Sequence, residues 1–184
     1  MARGHAAKGM PVTIRILAIA FAALALALRA GAALAEGAGD STAVKSVDGK
    51  FFDKSDNPTY KVGQDGTVDW YTYSGFRRYH SECHVCHGPN GDGSSFAPAL
   101  KDSLKRISYG DFLVVAASGR KNVTTAQENV MPAFGNNRNV MCYIDDIYIY
   151  LRARADDAVG RVRPAKHEDR PQAFADAEDA CMSK

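Results

Sequence analysis

Residues 83–87 read Cys83-His84-Val85-Cys86-His87. Two thiols three residues apart, followed at once by an imidazole, form a haem-attachment sequence. Each thiol can add across one vinyl group of a porphyrin, and one helical turn brings both sulfurs to the same edge of the ring. His87 then lies under the ring, where its Nε2 can reach iron as the proximal ligand. A bare C-x-x-C could instead be a dithiol redox pair or half of a zinc site. Zinc would need a second Cys or His pair at ligand spacing, and the sequence has none.

Outward from this stretch, the 184-residue chain is long enough for one domain with extensions. Residues 1–35 read as a secretory leader: Arg3, Lys8 and Arg15 are basic, residues 16–28 are apolar, and Ala33-Leu34-Ala35 is an A-x-A site. Cleavage is expected after Ala35. The apolar run is too short to span a bilayer comfortably, and Arg29 interrupts it. The whole chain has 23 Lys plus Arg against 21 Asp plus Glu, and four of the basic residues lie in 1–35. The remainder therefore carries 19 against 21, a small negative balance. That is no footprint for nucleic acid, and no other stretch could cross a membrane. Export to the periplasm permits disulfides. Of four cysteines, two go to haem; the remaining Cys142 and Cys181 suggest one bridge, with two free thiols as the alternative.

Four regions follow: the leader 1–35, an N-terminal extension 36–66, a haem domain 67–154 and a tail 155–184. The extension is polar, with turn signals at Asp48-Gly49, Asp56-Asn57-Pro58 and Asp65-Gly66; it reads as irregular but held down by Phe51, Phe52 and Tyr60. Thr67 can cap a helix to about Ser81. Gly75 and Tyr79 share one face of it, and the glycine admits a close second helix. Gly88-Pro89-Asn90-Gly91-Asp92-Gly93 is a tight loop. The carbonyl of Pro98 could accept a hydrogen bond from His87 Nδ1, orienting the ring and raising its basicity toward iron. A helical turn is expected at 103–106 and a helix at 109–118 ended by Gly119; 120–130 is polar and loop-like.

Val130-Met131-Pro132-Ala133-Phe134-Gly135 is bent by Pro132 and Gly135, and its thioether is a soft ligand suited to the sixth position. Met131 is the expected partner of His87 on iron; Met141 is the alternative. His80, His84 and His167 read as polar side chains rather than ligands. Asn139 can cap a last helix to about Arg154, whose Ile144, Ile147 and Leu151 should cross the face of Gly75 and Tyr79. Residues 155–184 are charged and, left alone, should be mobile.

Gly75, Tyr79, Cys83, Cys86, His87, Pro98, Met131 and the run Ile147-Tyr148-Ile149-Tyr150-Leu151 together resemble a class I c-type cytochrome over about residues 67–154. The resemblance implies an all-α fold of three to four helices around one covalently bound haem c. The extra cysteine pair, the Phe/Tyr-rich extension and the charged tail further resemble the four-cysteine periplasmic cytochromes linked to methanol metabolism. That implies electron acceptance from a pyrroloquinoline-quinone methanol dehydrogenase, with a further cytochrome c or an oxidase as acceptor. The alternative is a generic shuttle between another dehydrogenase or a bc1-type complex and a terminal oxidase. A haem enzyme or gas sensor would need an open sixth position, against which Met131 argues. The docking face is expected around Cys83, His84 and the Met131 loop, with Ala133 and Phe134 at its apolar centre.

Overall fold

The helix that delivers Cys83 starts two residues later than the Thr67 cap implies. The computed structural model of the chain describes residues 39–123 and 128–183. In it helix α1 is Trp70–Glu82, capped by Asp69. The Asp69 carboxylate takes Thr72 N–H at 2.9 Å and Lys61 N–H at 2.7 Å. Thr67 is drawn into a turn instead, donating its N–H and hydroxyl to Asp65 at 3.1 and 2.9 Å. A carboxylate both caps and complements the helix dipole, so it outcompetes the hydroxyl. The expected leader, residues 1–35 with its cleavage point after Ala35, lies outside the described residues.

Beyond α1 come α2 (His84–His87), a 3-10 turn (Pro89–Gly91), α3 (Leu100–Ser103) and α4 (Tyr109–Ser118). Helix α3 comes one turn before the expected 103–106. Helix α4 has the expected bounds: Ser108 and Asp111 form a capping box, and Gly119 ends it. The single helix expected from Asn139 is two. Asn137 caps α5 (Arg138–Met141) by accepting from Asn139 N–H at 2.9 Å. Tyr143 then leaves helical geometry and α6 (Ile144–Ala155) begins.

Helices α1 and α6 cross at Gly75. A Cβ there would lie 1.9 Å from the backbone oxygen of Asp146 and 2.8 Å from Tyr150 Cβ, so only glycine permits this approach. Around the crossing Tyr79, Tyr150, Ile147, Leu151 and Leu104 are fully buried. A carboxyl group is buried with them. Asp146 is 3% exposed and accepts from the Ser74 hydroxyl at 2.6 Å. Burial pushes its carboxyl up to about 7, with the Ser74 bond and Lys50 opposing the shift.

The extension is not irregular. Its strands β1 (Lys45–Val47), β2 (Lys50–Phe52) and β3 (Pro58–Thr59) form an antiparallel sheet in that order. Asp48 and Gly49 both take positive φ, 53° and 80°, so a two-residue turn pairs Val47 with Lys50. The segment read as a loop at 120–130 is a second hairpin, β4 (Arg120–Val123) with β5 (Glu128–Met131). Strands this short carry too little alternation to be told from loop by sequence.

The tail is also ordered. Its backbone joins Val68, which donates to Lys166 O at 3.1 Å and accepts from Glu168 N at 2.9 Å. Helix α7 (Gln172–Met182) then buries Phe174 against Tyr71, Tyr143 and Ile149. The Cys142–Cys181 disulfide pins the end of α7 to the residue after α5, with Cα atoms 5.8 Å apart. It closes a separation of 39 residues, worth about 4 kcal/mol by chain entropy. Among the described residues no helix is long and apolar enough to cross a membrane.

Gly75→Ala should destabilise the protein by about 2–4 kcal/mol, because backbone rather than a movable side chain blocks the new methyl. An unchanged melting temperature would contradict the tight crossing. Asp146 gives a pH test. Its folded-state proton is held up to about 7, against 3.8 for an unperturbed aspartate. The stability this confers is present below about 4 and lost as pH rises toward 7. Asp146→Asn should therefore gain on the parent protein, measured by denaturant unfolding, across that interval. A stability difference independent of pH would show ordinary ionisation.

Candidate haem site

Helix α1 ends by presenting Cys83, whose N–H bonds Tyr79 O at 2.9 Å. A second, short turn follows: His87 N–H reaches Cys83 O at 3.0 Å and Cys86 N–H reaches the same oxygen at 3.3 Å. The thiols therefore sit one turn apart on neighbouring helical pieces, Cys83 half-buried and Cys86 exposed. Burial, then the charges of Glu82 and Cys86, push the Cys83 thiol up to about 12. Two thiols one turn apart, followed at once by an imidazole, fit the two thioethers and the iron ligand of covalent haem c.

His87 is 7% exposed. Its Nδ1–H donates to the Pro98 carbonyl at 3.0 Å. That bond fixes the tautomer and leaves the Nε2 lone pair as the ring's ligating atom. The loop between them is held from several sides. Gly93 N–H bonds His87 O at 2.8 Å, and the Tyr79 hydroxyl donates to Gly88 O at 2.6 Å. Gly88 has φ 74°, and a Cβ there would lie 2.1 Å from Gly93 O. The Ser94 hydroxyl donates to Cys86 O.

Arg154 of α6 completes the support, its neighbour Arg152 ties down the chain at Leu104 and Gly39, and the sequence reading missed both. Arg154 is 4% exposed. Its guanidinium donates to Asn90 O at 3.1 Å and Val159 O at 2.7 Å, and it pairs with Asp92 at 3.4 Å. Asp92 also pairs with Lys101 and Arg161. Arg152 donates to Leu104 O at 3.0 Å and Gly39 O at 2.6 Å, and pairs with Asp156. Both sit in the last turn of a helix otherwise read as apolar, where a buried cation marks carbonyls lacking secondary-structure partners.

Met131 closes β5, half-buried, opposite Arg120. The chain beyond it is tied to α4 by Phe134 N–H to Ala116 O (3.0 Å) and Gly135 N–H to Ala117 O (2.9 Å). Met141, the alternative thioether, ends α5 and packs at the core margin. His80 donates from Nδ1 to Phe76 O at 2.8 Å, and its ring stacks near that of His84. His167 stacks on Tyr73 with ring centroids 3.8 Å apart. Of the two apolar residues expected at a docking face, Ala133 is exposed while Phe134 is half-buried against the core. Exposed apolar side chains flank Cys86 instead: Val85 is 73% and Phe96 75% exposed.

No protein-family model matches the chain. It is 54% identical over 144 residues to cytochrome c-553I of Paracoccus denitrificans, covering 78% of this chain and 64% of that protein's length. It is 40% identical over 106 residues to cytochrome c-555 of Methylococcus capsulatus (57% of this chain, 76% of the relative). The crystal structure of the c-type cytochrome XoxG from Methylobacterium extorquens AM1 superposes with a TM-score of 0.72 at 56% identity, covering 77% of this chain and 86% of that one. The chain therefore belongs to the c-type cytochromes, electron carriers rather than enzymes, which hold haem c covalently.

Proposed function

We propose that this chain is a periplasmic one-electron carrier that takes electrons from a quinoprotein methanol dehydrogenase. The observation that carries the haem reading is the His87 Nδ1–Pro98 bond beside the paired thiols. In this reading Cys83 and Cys86 would hold haem c as thioethers, and His87 Nε2 and Met131 Sδ would ligate its iron. Haem iron, when bound, cycles between ferric and ferrous states and so stores one electron.

The chain's own residues govern how that happens. The Pro98 carbonyl makes His87 a stronger donor, and the two-sided anchorage of the loop keeps its imidazole from swinging. Arg154 holds that loop by its backbone oxygens, so it acts as a positioning residue. Val85 and Phe96 offer an apolar surface around Cys86, suited to the small transient interfaces of electron-transfer partners. The methanol dehydrogenase assignment is supported by the resemblance to methanol-linked four-cysteine cytochromes, and by the Cys142–Cys181 bridge that such a pattern implies. Export rests on the leader-like residues 1–35.

Stopped-flow reduction by a purified quinoprotein methanol dehydrogenase tests the partner. It should be fast and only moderately slowed by salt, given the near-neutral charge balance. Phe96→Asp should slow it while leaving the haem spectrum intact; an unchanged rate would reject the docking face, and slow reduction of the parent protein would reject the donor. Met131→Ala should abolish the weak long-wavelength iron–thioether band and lower the potential. Persistence of that band would transfer the role to Met141. Arg154→Met should leave two carbonyls and Asp92 without their buried cation, costing about 3–5 kcal/mol. It should also shift the reduction potential, whereas a purely structural role would lower stability with the potential unmoved.

A further inference from the structure

A second site lies away from the Cys83–His87 stretch, where α7 docks on α1. A cavity of about 200 Å³ is lined there by three arginines, Arg77, Arg78 and Arg170, and by Glu178, Trp70 and Phe174. One carboxylate serves two of these guanidiniums. Glu178 pairs with Arg78 at 3.1 Å and with Arg170, and it also accepts the Tyr143 hydroxyl. Arg78 is further fixed by stacking on the Tyr143 ring, 3.5 Å from its centroid. Arg77 is exposed, and its guanidinium makes no hydrogen bond or ion pair among the described residues. The lining thus carries three positive charges against one negative.

The Trp70 and Phe174 rings stand edge to face, 5.7 Å apart, giving the cavity apolar walls. Guanidinium forks match the planar oxygen pair of a carboxylate or the oxygens of a phosphate, and a low-dielectric wall strengthens the pairing.

We propose that this cavity binds a small oxyanion, a carboxylate or a phosphate, held by Arg77 and Arg170 beside the Trp70 ring. Occupancy would offset the excess positive charge and add a tie between α7 and α1 beside the Arg78–Glu178 pair. The ligand would thereby set how firmly the tail is held.

Trp70 is the single tryptophan of the chain, so its indole N–H gives one resonance in the 15N-labelled, reduced, haem-loaded protein. Inorganic phosphate, sodium benzoate and, as control, sodium chloride are titrated at constant ionic strength. A saturable shift of that resonance with phosphate, with benzoate or with both, and not with chloride, is expected; which probe saturates names the ligand chemistry. Arg77→Gln, at an exposed position, should weaken binding about tenfold with the haem spectrum and disulfide unchanged. Arg170→Gln should do the same. Shifts that never saturate, that chloride reproduces, or that survive unchanged in Arg77→Gln would overturn the proposal.

Discussion

Everything in this fold depends on how closely α6 can approach α1, and that distance is set by the missing side chain at Gly75. Backbone meets backbone there, with the Asp146 carbonyl occupying the space a Cβ would need. The approach seals Tyr79 and Tyr150 on one side of the crossing and Ser74 and Asp146 on the other. It also fixes the relative positions of two chain ends. One is the C-terminus of α1, which carries Cys83; the other is the last turn of α6, which carries Arg152 and Arg154. The haem-binding loop is held between them.

That loop has almost no secondary structure, so its polar backbone must be satisfied by groups brought from a distance. Arg154 supplies donors to Asn90 and Val159, Tyr79 to Gly88, and His87 to Pro98. Each bond is long-range or crosses a turn, so the loop has one arrangement only while the helix crossing is intact. Rigidity at His87 is thus borrowed from the core. Buried guanidiniums perform this task well because one planar group serves several oxygens and keeps its charge at every relevant pH.

The residues of Cys83–His87, the bounds of α4 and the partnership of Gly75 with the last helix were legible because each rests on local spacing or on a face repeating along one helix. Other features were not. Asp69 beat Thr67 as cap through a bond to Lys61 that no local pattern contains. Asp48-Gly49 was read as a turn, yet it is also the strongest short-range hairpin signal, and three-residue strands gave no alternation to support it. Helix α7 has one large buried side chain, Phe174, and is defined by contacts with Tyr71, Tyr143 and Ile149 far upstream. Arg154 was read only as the end of a helix and Arg152 had no reading; the carbonyls of Leu104, Gly39 and Asn90 that make both interior lie dozens of residues away.

The position of the disulfide has a consequence for assembly. Cys181 lies near the end of the described chain, whereas Cys83, Cys86 and Cys142 all precede it. Four cysteines allow three complete pairings. Under the haem attachment proposed above, Cys83 and Cys86 leave that set, and Cys142 and Cys181 have only each other.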